Sequence, residues 1–266
     1  EIVKATNPYN IVIEQVEDFL ETSMFVGLKG VLTLLGYHVQ HAVLDANDFG
    51  LPTGRRRAVI VATTEPAPGL IERVSRSTKL IQPTAADILL PAHALEGRNQ
   101  AQGGWFTVRS EDDLERMMRE LAKDEALAVG DARPGNWLGE LWERDKFPPQ
   151  FIDESTTRVR AIVSRYGKPD PSGPFVRHPR RPDTYRLLTV EEIKRLHGVP
   201  QSYQLTDHYR TDVALLGQGV VVDVFRSVIQ ELPGGGPHRR NAPADYLEAA
   251  LKAMSSEARK IKHAVV

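Results

Sequence analysis

Asn10-Ile-Val-Ile-Glu-Gln-Val16 is an apolar run with the length of a buried strand, and it opens the most regular part of the chain. A helical stretch over about 24–35 follows and ends at Gly36, a residue type that commonly terminates helices. Residues 37–44 alternate between apolar and polar, and residues 57–62 form another apolar run. This alternation of helix and strand predicts an α/β fold that ends in a pair of strands.

The composition excludes several classes of protein. The 266 residues include no cysteine, and 34 Lys and Arg nearly balance 35 Asp and Glu. Disulfide scaffolds, cysteine-ligated zinc and iron–sulfur sites, and a catalytic thiol within this chain are therefore excluded. We expect no metal. We also expect no membrane segment, because no run approaches the roughly 20 apolar residues of a membrane helix. These features predict a soluble, cytoplasmic protein.

A basic strip lies near the end of a segment whose composition differs from the rest. Residues 63–185 are rich in Pro, Gly and charge, and they include Trp105, Trp137 and Trp142. These three form either the core of a small, irregular domain or a base-stacking group. Residues 155–186 include eight basic and two acidic side chains, which give a net charge of about +6. This local excess predicts contact with phosphate. The candidate phosphate-binding residues, which we call the basic strip, are Arg158, Arg160, Arg165, Lys168, Arg177, Arg180 and Arg181.

Glu14 stands at the end of the first predicted strand. In open α/β folds, ligands bind at the carboxyl edge of a parallel sheet, where we expect this carboxyl group to lie. A protonated carboxyl group can donate a hydrogen bond to a ring nitrogen or transfer a proton. Glu14 is therefore a candidate catalytic residue; the alternative is an ordinary strand-end glutamate in a surface ion pair.

Three arginines begin the strand that follows the turn over residues 48–54. Because strand side chains alternate, Arg55 and Arg57 are expected on one face and Arg56 on the other. Two guanidinium groups that project together can clamp a phosphate or the polar edge of a base. The alternative is a solvated strand end.

Leu216-Gly-Gln-Gly-Val220 predicts a turn before an apolar helix. Such a turn can bring the backbone close to a cofactor. It does not match the dinucleotide-binding fingerprint, and it lacks the lysine of a P-loop.

The order of these motifs resembles that of the DNA cytosine-5 methyltransferases. The similarity covers about residues 1–62 and 186–232. The shared series is Glu14-Gln-Val16, then Gly36-Tyr37, then Asp48-Phe-Gly-Leu-Pro-x-x-Arg55-x-Arg57, then Arg186-x-Leu-Thr-x-x-Glu-x-x-Arg-Leu-x-Gly-x-Pro200, and finally Gly217-Gln-Gly-Val220.

The resemblance implies the C-terminal part of a Rossmann-like, S-adenosylmethionine-dependent methyltransferase sheet, with a small irregular α+β target-recognition domain. The domains expected from it are a partial catalytic domain (1–62), the target-recognition domain (63–185), a return to the catalytic domain (186–233), and a linker with a helical tail (234–266).

The resemblance also implies roles for single residues. Glu14 matches the family glutamate that hydrogen-bonds a flipped cytosine, and Arg57 matches an arginine that contacts the same nucleotide. Arg55 matches the first arginine of that Arg-x-Arg motif, also catalytic. Gln218 and Val220 fall where the closing motif approaches S-adenosylmethionine. Double-stranded DNA is the implied partner, in an enzyme of prokaryotic, phage or plasmid type.

A further motif is implied to be structural and to organise the recognition domain. Its residues here are Arg186, Thr189, Glu192 and Arg195.

Some family features differ or do not occur here. Gln15 stands where the family has Asn, and Gln218 likewise replaces Asn. The family's Pro-Cys nucleophile and its Phe-x-Gly-x-Gly cofactor loop belong before the Glu14 motif. We expect them upstream in a longer chain, or on a partner chain that carries the N-terminal catalytic half. The alternative is a catalytically inactive DNA-binding subunit; in every case this chain alone is expected to be inactive.

Overall fold

A computed structural model describes the following residues: 2–76, 82–98, 104–108, 110–114, 116–117, 120, 149–167 and 173–234. They fall into two compact units. Unit 1 holds the described residues within Glu1–Asp45, Arg56–Thr78 and Val224–Val266, and unit 2 holds those within Ala46–Arg55 and Lys79–Asp223.

Unit 1 is built on a three-stranded sheet. Its elements before the last helix are α1 (Ile2–Thr6), β1 (Asn10–Gln15), a 3₁₀ helix (Glu17–Glu21), α2 (Ser23–Leu34), β2 (His38–Asp45), β3 (Arg56–Thr63) and α3 (Leu70–Arg76). These bounds confirm the α/β pattern that the first 62 residues predict, each element within two residues of its expected position.

The expected parallel sheet is wrong. The strand order is β1-β3-β2, and β3 is antiparallel to both of its neighbours. β1 and β2 therefore run in the same direction, as a strand–helix–strand crossover requires, but β3 lies between them. β2 and β3 are joined by residues 46–55, a connection without a crossover helix, so β3 returns antiparallel. Glu14 lies opposite Val59 of the central strand.

Local sequence sets both ends of α2. The Thr22 hydroxyl accepts a hydrogen bond from the backbone N–H of Phe25 at 3.2 Å, which caps the start of the helix. At the other end Gly36 has φ of 81°, and the N–H of Tyr37 donates to the carbonyl of Leu32. This is the left-handed helix termination that glycine favours, and it confirms the predicted stop at this residue.

The described part of unit 2 contains a second sheet, of four short strands, and several helical segments. Its elements include β4 (Phe106–Thr107), β5 (Phe151–Ile152), β6 (Phe175–Arg177), β7 (Thr184–Arg186), α4 (Val190–Leu196) and α5 (Tyr209–Gln218), with short 3₁₀ turns at Ala46–Phe49, Ala85–Asp87 and Ala92–Leu95. The strand order is β4-β7-β6-β5, in which only the β5–β6 pair is parallel. The last helix of the described chain, α6 (Val222–Glu231), continues from unit 2 into unit 1.

One apolar cluster joins the recognition segment to the helices that follow it. Ile152, Val159 and Ile162 pack with Ile193 of α4 and Val213 of α5, and all five are fully buried. Residues 186–223 therefore belong with unit 2 by packing. The division into catalytic and target-recognition domains stays a prediction. The predicted tail from 235 onward lies outside the described residues. None of the described helices combines the length and apolar character that crossing a membrane requires.

Candidate functional site

The register of the unit 1 sheet brings Glu14 and Arg57 together. Glu14 on β1 is paired with Val59 on β3, and Arg57 lies two residues before Val59. Side chains two apart on a strand share a face, so Arg57 is the diagonal neighbour of Glu14. The Nε atom of Arg57 lies 2.9 Å from Oε1 of Glu14. Two residues that are 43 positions apart in sequence (57 minus 14) thus form one ion pair.

This pair is partly accessible to solvent. The side chain of Arg57 is 25% exposed and that of Glu14 is 19% exposed. Nη1 of Arg57 also donates to the carbonyl of Arg56, which helps to fix the guanidinium plane. Arg56 itself forms a separate ion pair with Glu17 at 2.6 Å, and there both side chains are more than 40% exposed. The Glu14–Arg57 pair therefore offers a fixed carboxylate and a fixed guanidinium at a half-buried surface.

Arg55 does not form the predicted clamp. It is 3% exposed, and its Nη2 atom donates to the carbonyl of Gly219 at 2.7 Å. Nη1 donates to the carbonyl of Gly217 at 3.2 Å and, at a longer 3.4 Å, to that of Ile162. The expectation that Arg55 projects from the strand start as a ligand-binding group is therefore wrong in this structure, because backbone carbonyls of the closing motif bind its guanidinium group.

The closing motif ends α5 and forms the predicted turn before an apolar helix, α6, which begins at Val222. Gly217 and Gln218 are the last residues of α5, and Gly219 is its C-cap. A Cβ atom on Gly217 would lie 2.5 Å from the carbonyl carbon of Val163, so this glycine allows two backbone segments to touch. Gln218 is exposed and Val220 is 39% exposed. Cofactor binding by these two residues stays a prediction.

The predicted scaffold motif forms a buried network, which confirms the structural interpretation. Both Nη atoms of Arg186 donate to the carboxylate of Glu192 at 2.7 Å, and these side chains are 1% and 0% exposed. The same carboxylate accepts from the N–H of Thr189 at 2.8 Å, while the Thr189 hydroxyl accepts from the N–H of Glu192. This reciprocal pair is a capping box that starts α4. The N–H of Leu90 is a further donor to the carboxylate.

Two exposed arginines of the basic strip have carboxylate partners. Arg177 bonds to Glu111 at 2.6 Å, and Arg181 bonds to Glu96 at 2.5 Å. Sequence reasoning missed both acidic partners, because they lie 66 and 85 residues away and no local pattern connects them. The strip is therefore less positive on the surface than its composition suggests.

The other members of the strip are placed as follows. Arg158 and Arg180 are exposed, Arg160 and Arg165 are half-buried, and Lys168 lies outside the described residues. The guanidinium of Arg158 lies beside Gly54, where a Cβ atom would be 2.8 Å from its Nε atom. DNA binding by these residues stays a prediction.

A cavity of about 460 Å³ lies in unit 2 beside Trp105. The rings of Trp105 and His178 lie with centroids 4.5 Å apart at an interplanar angle of 59°, and Arg177, Asp153 and Glu154 also line the cavity. Trp105 is partly buried against the apolar cluster of unit 2 and also lines this cavity. It therefore has features of a core residue and of a base-stacking residue.

Two acidic side chains line the cavity beside Arg177 and Arg186, whose guanidinium groups have the carboxylates of Glu111 and Glu192 as partners. Burial lowers the pKa of His178, and the neighbouring Arg181 guanidinium lowers it further, so the ring is neutral near pH 7. Hydrogen bonds from Ser155 lower the pKa of Asp153 and keep that carboxylate ionised. Because Arg177 is paired with Glu111, the cavity is better suited to a polar ring with amino groups than to a phosphate.

Comparison with known proteins identifies the family. The family model of C-5 cytosine-specific DNA methylases matches residues 1–234. The chain is 25% identical over 239 residues to the type II methyltransferase M.MspI of Moraxella sp.. That alignment covers 85% of this chain but 41% of M.MspI, so the chain spans about two fifths of its curated relative.

Solved structures show a similar fold. The Dnmt2 methyltransferase of S. pombe matches with a TM-score of 0.58 at 16% identity, over 84% of this chain and 64% of the other. The Entamoeba histolytica methyltransferase EhMeth matches with a TM-score of 0.55 at 16% identity, over 84% of this chain and 62% of the other. Since the family model spans residues 1–234 of 266, the chain belongs to the C-5 cytosine-specific DNA methylase family.

Proposed function

We propose that this chain forms the C-terminal part of a DNA cytosine-5 methyltransferase, in which Glu14 and Arg57 hold a cytosine that has left the base stack. The observation that carries the proposal is the half-buried Glu14–Arg57 pair, with its 2.9 Å contact on one face of the unit 1 sheet. Enzymes that modify a base inside a duplex must extrude it and read its Watson–Crick edge with a few fixed polar groups.

Glu14 polarises the ring. A protonated carboxyl group donates to the ring nitrogen beside the exocyclic amino group, and its second oxygen accepts from that amino group. This withdraws electron density from the ring and favours addition of a nucleophile at C6. When the nucleophile adds, the proton of Glu14 neutralises the negative charge that develops on the nitrogen.

Arg57 orients both the carboxyl group and the nucleotide. Its guanidinium has donors in a rigid fork, so one edge can hold Glu14 while another contacts the target nucleotide. A carboxyl group fixed in this way needs no reorganisation when charge develops in the ring.

The complete reaction needs two groups from outside these residues. S-adenosylmethionine supplies the methyl group when it is bound, and exposed Gln218 and Val220 offer an amide and an apolar side chain that fit a ligand with polar and apolar parts. The nucleophile is a thiolate, which this cysteine-free chain does not contain. We propose that a longer form of the chain or a partner chain provides it.

DNA contact is proposed for unit 2. Arg158 and Arg180 are exposed cations that can reach phosphates, and Arg177 and Arg181 can exchange their carboxylate partners for phosphate. The Trp105 cavity, with two carboxylates at its wall, is suited to base edges that carry amino groups.

The absence of cysteine also favours a second candidate, a DNA-binding subunit without its own catalysis. The two differ in whether the coding sequence in frame with residue 1, or a neighbouring chain, supplies a Pro-Cys motif. The mass of the native protein and that coding sequence distinguish them.

The test is bisulfite sequencing of DNA from cells that express the complete gene. We expect protected cytosines at one recurring sequence with the wild-type protein and none with Glu14→Gln. Glu17→Gln is the matched control, because Glu17 also pairs with a β3 arginine but at an exposed position; it should methylate normally. Normal methylation by Glu14→Gln would contradict the assigned role. DNA binding without methylation by the wild type would favour the second candidate.

A further inference from the structure

Arg55 is a buried cation that binds the backbone of the closing motif. It is 3% exposed, and its two Nη atoms donate to the carbonyl groups of Gly219 and Gly217 at 2.7 and 3.2 Å. Gln218, which lies between these glycines, is exposed. One guanidinium group therefore holds the backbone on both sides of Gln218.

The end of α5 explains why an arginine is needed at this place. The last carbonyl groups of a helix have no partner within the helix and carry the negative end of its dipole. Gly217 and Gly219 are the penultimate residue and the C-cap of α5, so their carbonyl groups are of this kind. A guanidinium fork satisfies two of them with charge-assisted hydrogen bonds, whereas an ammonium group is a single donor centre.

The opposite side of the same turn is fixed by backbone packing. A Cβ atom on Gly217 would lie 2.5 Å from the carbonyl carbon of Val163 and 2.6 Å from the nitrogen of Ser164. After the turn, the N–H of Val222 donates to the carbonyl of His197 at 2.9 Å, which fixes the start of α6. Residues 217–222 are thus held at several points, two of them by the side chain of Arg55.

We propose that Arg55 is a positioning residue for S-adenosylmethionine: it holds the Gly217–Gly219 backbone so that Gln218 and Val220 present a fixed surface to the cofactor. It does not contact the target nucleotide, since releasing its guanidinium would leave helix-end carbonyl groups without their donors. This inference rests on the proposed function, which places the cofactor at Gln218 and Val220.

The first experiment measures hydrogen exchange of the complete protein without ligand. The reporters are the amides of Gly219 and Val222, both of which donate backbone hydrogen bonds. In Arg55→Gln we expect their exchange to be roughly tenfold faster than in the wild type, from local opening of the turn. Arg56→Gln, next in sequence but exposed and paired with Glu17, is the matched control and should leave both amides unchanged. Unchanged exchange in Arg55→Gln would overturn the proposal.

The second experiment measures S-adenosylmethionine and DNA binding by calorimetry. Arg55→Gln should raise the Kd for S-adenosylmethionine about tenfold and leave the Kd for DNA unchanged. Arg55→Lys keeps the charge and serves as a second variant in case Arg55→Gln does not fold. It should show a smaller rise in the Kd for S-adenosylmethionine. A loss confined to DNA binding would overturn the proposal and return Arg55 to nucleotide contact.

The two experiments separate failure of this inference from failure of the proposed function. Faster exchange with an unchanged Kd for S-adenosylmethionine would overturn the link between this turn and the cofactor. A wild-type complete protein that binds no S-adenosylmethionine would instead contradict the proposed function, whatever the exchange data show.

Discussion

Two of the Arg–Glu pairs, one in each unit, have the same chemistry in different surroundings. In unit 1, Arg57 and Glu14 are joined by one contact of 2.9 Å, and a fifth to a quarter of each side chain is exposed. In unit 2, Arg186 and Glu192 share two bonds of 2.7 Å and are at most 1% exposed. The second carboxylate also accepts backbone N–H groups of Thr189 and Leu90.

The difference in burial indicates different roles for the two ion pairs. The hydrogen bonds of Glu192 go to the protein itself, where they start a helix and fix a neighbouring loop. Glu14 and Arg57 keep accessible surface on one sheet face, where a ligand can reach them. The Arg186–Glu192 pair is suited to hold the fold, and the Glu14–Arg57 pair is proposed to bind and polarise a substrate.

The largest expected effect comes from breaking the buried pair. Glu192→Gln leaves the Arg186 charge buried without its counter-ion and should lower the free energy of unfolding by about 3–5 kcal/mol. Glu191→Gln is the matched control, because Glu191 pairs with Arg195 four residues away at a partly exposed position, and it should cost about 0.5 kcal/mol or less. Urea denaturation of both variants checks this, and similar losses would remove the distinction between the two environments.

Substitutions in the half-buried Glu14–Arg57 pair should lower activity rather than stability. In the complete enzyme, Arg57→Ala should slow methylation about a hundredfold, because the carboxyl group loses its orientation, while DNA affinity changes little. Rate measurements alongside DNA titrations test this, with Arg56→Ala as the control. Equal losses in rate and affinity would reassign Arg57 to phosphate contact.

Gly217 extends the comparison to a position where space rather than charge decides. Gly217→Ala places a Cβ atom 2.5 Å from the backbone of Val163 and should destabilise unit 2 by about 1–3 kcal/mol. Gly30→Ala on α2 is the opposite case, since a Cβ atom there meets nothing within 4 Å and should stabilise the helix by about 0.5–1 kcal/mol. Denaturation curves for the two variants should therefore move in opposite directions.

The smallest expected effect is a pH dependence in unit 2. Burial depresses the pKa of His178 below its ordinary value of about 6.5, so the unfolded chain takes up this proton first. The stability that neutral His178 contributes is complete above that value and is lost as the pH falls below it. His178→Asn, whose side-chain oxygen can replace Nδ1 as acceptor for the N–H groups of Arg180 and Arg181, should flatten this part of the stability curve. An unchanged slope between pH 7 and pH 5 would contradict this.

The local elements and the motif order were predictable, but the cross-strand contacts were not. The apolar run at Asn10 and the stop at Gly36 are local signals, and the strand and the helix end lie close to their predicted positions. The insertion of β3 between β1 and β2 depends on pairing across long loops, which local periodicity does not encode.

Local periodicity also could not predict the long-range partners of the arginines. Alternation predicted a shared face for Arg55 and Arg57, but Arg55 precedes β3, and its partners at Gly217 and Gly219 are 162 and 164 residues away. The acidic partners of the basic strip, Glu96 and Glu111, were missed for this reason as well.

Glu14 is proposed to serve the reaction whereas Glu192 serves the fold, and these roles are separated by measuring methylation and stability in variants of both residues in the complete enzyme. The methylation rate per folded molecule should fall about a hundredfold in Glu14→Gln while the free energy of unfolding changes by about 1 kcal/mol or less. In Glu192→Gln the free energy of unfolding should fall by about 3–5 kcal/mol, while the rate per folded molecule stays near that of the wild type. A Glu14→Gln enzyme that methylates at the wild-type rate, or one that is destabilised as much as Glu192→Gln, would contradict the account.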